Sequence, residues 1–262
     1  MSIQYTRTET LLKCCRALYN PSYFYRARCL NWSGVTKKND KGVQEYYTEI
    51  ISEFILNNIE IFKNGIRTVP SGDYFAPSHN AVRNAQDPKT ADVLGQQLYN
   101  LDEEIIAKGL LKLYNKTPLP IIGKLVDYQV PLYPRKTAAP QNGGKRAEDD
   151  GKEGKIDLLA DDGKQLIILE LKKPSSSETM LRCVMECYTY LKTVDKKQLL
   201  SDFKKPSDYG LTAAPLVFKD EFQHSEMKDI KNRPMLDTLM KVLNISPYYI
   251  YYDPAAKDFS IT

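Results

Sequence analysis

Three charged residues, Asp157, Glu170 and Lys172, stand inside two otherwise apolar runs, KIDLLA at 155–160 and QLIILELKK at 165–173. Asp161, Asp162, Gly163 and Lys164 separate the runs, and an Asp-Gly pair between apolar segments is a strong β-hairpin signal. If the hairpin closes symmetrically about Asp162-Gly163, Asp157 falls opposite Ile168. Glu170 is then its diagonal neighbour, at roughly 7–8 Å between backbone positions. Side chains alternate along a strand and directly opposed residues share a face, so all three charges project from one face. Leu159, Leu166 and Ile168 lie on that face nearer the turn. Ile156, Leu158, Ile167, Leu169 and Leu171 make the other face wholly apolar.

Burying carboxylates without a partner is costly, and Lys172 offsets only one charge. The pattern calls for a cation. Two carboxylates with a backbone carbonyl form a hard-oxygen set suited to Mg²⁺, or to Mn²⁺ in its place. Such an ion acidifies a bound water and offsets charge on a phosphate, which fits phosphodiester hydrolysis. An adjacent lysine orients or deprotonates that water, or stabilises the transition state. The competing reading is a structural hairpin in which the two acids pair with Lys155, Lys172 or Lys173.

The surrounding elements must hold this hairpin. Helical spacing is present at 5–19 and 44–63, and 64–95, rich in Pro, Gly, Ser and Asn, reads as irregular. LDEEIIAKGLLKLYN (101–115) reads as an amphipathic helix ending before Pro118 and Pro120. A strand candidate (124–133) and a polar, glycine-rich loop (134–154) precede the hairpin. Ser175 and Glu178 have the form of a capping box, opening a helix that runs to about Thr193. Further strands are expected at 211–218 and 246–252, with a helix near 234–244 between them. From residue 101 the order is helix, strand, strand, strand, helix, strand. The class is α/β, with 1–95 as a helical N-terminal extension and 96–262 as the core domain.

On these residues, GKIDLL (154–159) followed by ILELKK (168–173), the chain resembles the PD-(D/E)XK nuclease superfamily, the restriction-endonuclease-like fold. The resemblance implies an αβββαβ core over 101–218, with a mixed central sheet flanked by helices. It implies that Asp157, Glu170 and the carbonyl of Leu171 hold the metal, and that Asp157, Glu170 and Lys172 are catalytic. The proline of the motif's name is absent, since Lys155-Ile156 precedes Asp157. On the next helix Arg182, Glu186 and Tyr190 follow at successive i, i+4 steps. This is similar to a Gln-x-x-x-Tyr pattern of the exonuclease-like branch, with Glu186 replacing the Gln; the alternative is an Arg–Glu helix pair with a packed tyrosine. Family members often carry an acid on the helix before the first strand. Glu103 is the candidate here, with Glu104, Glu49 and Glu53 as alternatives. Many members cut duplexes as dimers, which leaves a homodimer open.

With 262 residues, 42% apolar and 27% charged, the composition is that of a soluble globular protein and excludes collagen-like, disordered and disulfide-dense classes. The net charge of +4 decides nothing, but its placement is uneven. Residues 1–41 hold eight basic side chains against Glu9 and Asp40, a net of +6, interleaved with Tyr5, Tyr19, Tyr23, Phe24, Tyr25 and Trp32. Such a segment can neutralise phosphates and offer faces to bases; otherwise it is a solvated helical surface over a tyrosine-rich packing face. Arg135, Lys136, Lys145 and Arg146 of the polar loop would add phosphate contacts, which position a strand without reading its sequence.

Five cysteines with no CxxC pair argue against zinc and for a reducing compartment. The absence of a signal-like stretch or an 18-residue apolar run makes the expected location cytoplasmic, with no membrane partner. Gly143-Gly144-Lys145 lacks the other features of a P-loop, no nucleophile elbow is present, and the isolated His79 and His224 read as surface or packing residues. The expected function is a Mg²⁺-dependent nuclease acting on DNA in preference to RNA. The alternative is a catalytically weak or inactive nucleic-acid-binding or assembly protein that retains the fold.

Overall fold

A mixed six-stranded sheet runs through the chain in sequence order, β1 to β6. The computed structural model describes residues 4–68, 74, 93, 96–132 and 154–262. Helices α1 (Arg7–Ala17), α2 (Tyr47–Asn57) and α3 (Ile59–Gly65) come first, with two 3₁₀ turns, Pro21–Arg26 and Arg28–Asn31, between α1 and α2. Helix α4 (Glu103–Tyr114) leads into β1 (Lys124–Pro131), β2 (Lys155–Asp161) and β3 (Gln165–Lys172). Helices α5 (Met180–Thr193) and α6 (Lys196–Asp202) precede β4 (Gly210–Phe218). Helices α7 (Phe222–Lys228) and α8 (Pro234–Leu243), then β5 (Tyr248–Asp253) and β6 (Asp258–Ile261), complete the chain. Strands β1–β2–β3 form an antiparallel meander, β3–β4–β5 are parallel, and β6 returns antiparallel to β5.

The sheet is covered on both faces, as the double-sided apolar pattern of its central strands requires. Leu158, Ala160, Ile167, Leu169 and Leu171 pack with Ile106, Leu110, Leu111 and Tyr114 of α4. Leu159, Leu166 and Ile168 face the opposite way, into a cluster built from α5, α8 and the N-terminal helices, including Phe24, Leu30, Ile51, Ile55, Val184 and Leu239. The N-terminal helices therefore share a buried cluster with the sheet. Glu49 of α2 accepts hydrogen bonds from Met235 N (2.9 Å) and Leu236 N (3.0 Å), capping the open N–H groups at the start of α8.

Several local expectations shift. The helical pattern at 44–63 is two helices, broken at Asn58. Helix α5 starts later than a Ser175 cap would place it: Thr179 is the N-cap and accepts from Arg182 N at 3.1 Å, while Ser175 adopts a left-handed φ of 69°. The hairpin turns on Gly163-Lys164, not Asp162-Gly163. Leu158 pairs with Leu169 and Asp161 with Leu166, a register two residues away from the symmetric closure. Gly163 has φ 92°, the left-handed value that a tight hairpin turn assigns to glycine at its first central position. Asp162 accepts from Lys164 N (2.7 Å) and Gln165 N (2.9 Å), holding the turn. An even shift keeps Asp157, Glu170 and Lys172 on one face. Continued one step, the register brings Asp157 directly opposite Glu170 rather than diagonal to it.

Candidate active site

Asp157 and Glu170 reach the rim of the meander on neighbouring strands, and Lys172 follows on the same face of β3. All three are buried, with 9%, 4% and 4% of their surfaces exposed. Asp157 accepts a hydrogen bond from Leu171 N (3.0 Å), so its carboxylate ties β2 to β3 just past the last ladder pair. Its other oxygen accepts from Gln129 Nε2 at 3.1 Å. Gln129 has a left-handed backbone, φ 52°, in the middle of β1. A non-glycine residue held there stores strain, and the kink interrupts the alternation of β1. Beyond it Val130, Leu132 and the paired Ile156 join the α5-side cluster, so Ile156 departs from the apolar face expected for it.

Lys172 is the centre of an ion-pair network. Its Nζ lies 2.7 Å from Glu170, 2.8 Å from Glu178 and 3.5 Å from Glu186. Helix α5 supplies the second cation: Arg182 is 3.5 Å from Glu186 and 3.8 Å from Glu178. Tyr190 donates to Glu186 at 2.9 Å. The i, i+4 spacing of Arg182, Glu186 and Tyr190 thus forms a buried ladder along α5, and it meets β3 at Lys172. Glu103, at the first turn of α4, accepts from Lys173 N at 3.2 Å and acts electrostatically on both Asp157 and Lys172. The other acidic candidates lie elsewhere: Glu49 caps α8, Glu53 pairs with Arg7, and Glu104 acts on Tyr128.

The charge balance of this cluster is uneven. Among the described residues, Asp157, Glu170, Glu178, Glu186 and Glu103 face only Lys172 and Arg182, a formal sum of −3 if all are ionised. The protonation equilibria reflect the surplus. Burial pushes the Asp157 carboxyl up to about 7, Glu103 and Glu186 push it the same way, and Lys172 opposes them. Burial, then Asp157 and Glu186, drive Glu170 well above the usual carboxylate range. Burial works against the charge on Lys172, but Glu170 and Glu186 outweigh it and hold the ammonium well above its ordinary pKa. Glu178, although burial opposes it, is held low by Lys172 and Arg182. The carboxylates around Lys172 favour its ammonium form.

Glu170 has one further feature. Its Oε1 is held by Lys172, but its Oε2 is buried and has no hydrogen-bond partner among the described residues. An orphaned carboxylate oxygen beside a second buried carboxylate fits a hard cation, with Asp157 and Glu170 as donors and the Leu171 carbonyl as the third group the resemblance implies. Among the described residues, no group of three or more His, Cys, Asp or Glu side chains is arranged to hold one ion, so a site here rests on two carboxylates and a carbonyl.

Two participants were missed in the sequence. Glu178 was assigned to a helix cap, yet it pairs with Lys172 and Arg182. Gln129 carries no sequence signal, because its role depends on its backbone conformation. The N-terminal segment adds a third contribution: the Tyr25 ring packs edge-on against Tyr190 (5.7 Å between centroids) and lies under Arg182 (6.0 Å). His224 accepts from Asp220 N at 2.8 Å and packs on Tyr249, a structural role. Arg135, Lys136, Lys145, Arg146 and His79 lie outside the described residues. No helix among the described residues is long and apolar enough to cross a membrane. Comparison with protein-family models, with curated proteins and with solved structures finds no match to this chain.

Proposed function

We propose that the chain is a metal-dependent phosphodiesterase acting on nucleic acid, DNA in preference to RNA, built on a restriction-endonuclease-like core. The observation that carries this reading is the carboxylate surplus among the described residues: Asp157 opposite Glu170, with the Glu170 Oε2 orphaned, at the end of a hairpin whose other buried residues, Lys172 apart, are apolar. Asp157, Glu170 and the Leu171 carbonyl would hold Mg²⁺ or Mn²⁺, which when bound supplies an acidified water and offsets charge on the phosphate. Lys172, whose neighbouring carboxylates favour its ammonium form, contributes positive charge where the transition state gains negative charge. Glu186 and Glu178 hold the ammonium in place, and Gln129 orients the Asp157 carboxylate.

The saturation of Lys172 by three carboxylates favours a second reading, in which the cluster is a structural ion network in a binding protein that retains the fold. Cleavage separates the two. Wild type is incubated with plasmid, single-stranded DNA and RNA in Mg²⁺ or Mn²⁺, beside Asp157→Asn and Glu170→Gln variants whose circular dichroism matches it. Metal-dependent cleavage by wild type, lost in both variants, supports the enzyme. No cleavage by folded wild type, or equal residual cleavage in all three, removes it in favour of the binding protein.

A further inference from the structure

The basic N-terminal segment splits into two roles in three dimensions. Most of its aromatics are structural: Phe24 packs against Phe54 and Phe62, and Tyr25 against Tyr190. Its cations behave differently. Lys13 and Arg16 of α1, with Arg28 of the second 3₁₀ turn, converge on a surface groove of about 530 Å³ that Tyr5, Trp32 and Cys29 also line. That volume falls in the range of small-ligand clefts.

Among the described residues, no acidic side chain lines the groove. Arg7, by contrast, pairs with Glu45 and Glu53, whereas Lys13, Arg16 and Arg28 have no ion-pair partner among the described residues. Glu9, the one acid on α1, stands one turn before Lys13 and attracts it through space, but its carboxylate is engaged in a capping box, where it accepts from Thr6 N at 2.7 Å. The aromatic rings are fixed in place: Tyr5 stacks on Trp32 at 4.3 Å, Trp32 meets Tyr47 edge-on at 5.5 Å, and Lys13 lies over the outer face of Tyr5 at 4.9 Å. With the ring faces taken, the groove offers rigid walls and three cations without an ion-pair partner among the described residues, a setting for phosphate rather than for a stacked base.

The groove is also tied to the carboxylate cluster through a short stretch of chain. Arg28 begins the turn Arg28–Asn31. Leu30 O accepts from Thr179, the N-cap of α5. Asn31 faces Glu178, and Tyr25, three residues before Arg28, packs on Tyr190 and Arg182. One segment, Tyr25–Trp32, therefore touches the cluster with one side and carries a groove cation on the other.

We propose that Lys13, Arg16 and Arg28 form a phosphate track that binds the backbone of a nucleic-acid strand and leads it along Tyr25–Trp32 toward the Asp157–Glu170 site. The proposal deepens the nuclease reading by assigning its substrate contacts, and it is tested without cleavage. Fluorescence anisotropy in EDTA measures binding of a labelled 20-nucleotide single strand and a 20-base-pair duplex as a function of salt. The Lys13→Gln/Arg16→Gln/Arg28→Gln variant is compared with wild type and with Lys196→Gln/Lys197→Gln/Lys231→Gln, which removes the same charge from exposed positions elsewhere.

The expected result is at least a tenfold loss of affinity in the groove variant only. The slope of log K against log salt should fall by about 2 for the single strand, three contacts at roughly 0.7 each. Wild-type affinity in the groove variant, an equal loss in the control variant, or no binding by wild type overturns the proposal. Inorganic phosphate in competition separates a strand site from a free-anion site: displacement at equimolar phosphate overturns the strand assignment. If wild type cleaves nothing while the groove variant alone loses binding, the track stands and the nuclease reading falls.

Discussion

Replacing Lys172 by methionine tests the network at its centre. Lys172 is 4% exposed and its ammonium contacts three carboxylates, but these differ in what they lose. Glu178, with a side chain 29% exposed, rehydrates, and Glu186 keeps Arg182 and the Tyr190 hydroxyl. Glu170 keeps nothing, because Lys172 is its one hydrogen-bond donor among the described residues. Removing one partner of a buried pair typically destabilises by about 3–5 kcal/mol. Because burial and Asp157 already favour the protonated form of Glu170, it escapes part of that loss by taking up a proton, and the expected cost is about 3 kcal/mol. Urea unfolding at pH 7 in EDTA measures it. The Glu170→Gln/Lys172→Met double variant removes the orphaned charge as well and should lie within about 1–2 kcal/mol of wild type. A cost below about 1 kcal/mol for Lys172→Met alone, or a double variant as unstable as the single one, would refute the account.

Asp157 gives a pH signature. Its folded-state pKa is raised to about 7, so its contribution to stability is complete below its unfolded value and is lost as pH rises through 7. Asp157→Asn should match wild type near pH 4, become the more stable protein as pH rises, and hold a constant margin above pH 7; urea midpoints in EDTA between pH 4.5 and 8 read the difference. Gln129→Ala removes a hydrogen bond to a carboxylate and should cost about 1–2 kcal/mol, while any metal-dependent activity falls further than stability does. Gly123 has φ 75°, and a Cβ there would meet the Asp161 carbonyl oxygen at 2.0 Å, so Gly123→Ala should cost more than about 2 kcal/mol by thermal melting.

The elements that position the site were legible wherever hydrophobic period and turn chemistry agreed. The runs at 155–160 and 165–173 could only be strands buried on both sides, and parity alone put Asp157, Glu170 and Lys172 on one face. The i, i+4 ladder of α5 was visible for the same reason. What stayed hidden depended on contacts between distant segments. Glu178 has the local pattern of a capping-box partner for Ser175, but Thr179 takes the N-cap because its hydroxyl reaches both Arg182 N and the Leu30 carbonyl, freeing Glu178 to turn toward Lys172. The left-handed Gln129 lies between the pairs Tyr128–Leu158 and Val130–Ile156 in the middle of β1, and its residue type does not announce it. The strand β6 and the short helices α6 and α7 were also missed, being too brief to show a period.

The pairing register of the hairpin bears on how the protein can change length. Glu170 and Lys172 share a face with Asp157, and only a register change by an even number of residues keeps them there. Insertions and deletions at the tip should therefore be tolerated in twos and rejected singly. A single added residue would turn both of these charges into the packed interior beneath α4, and bring Leu169 and Leu171 round in their place.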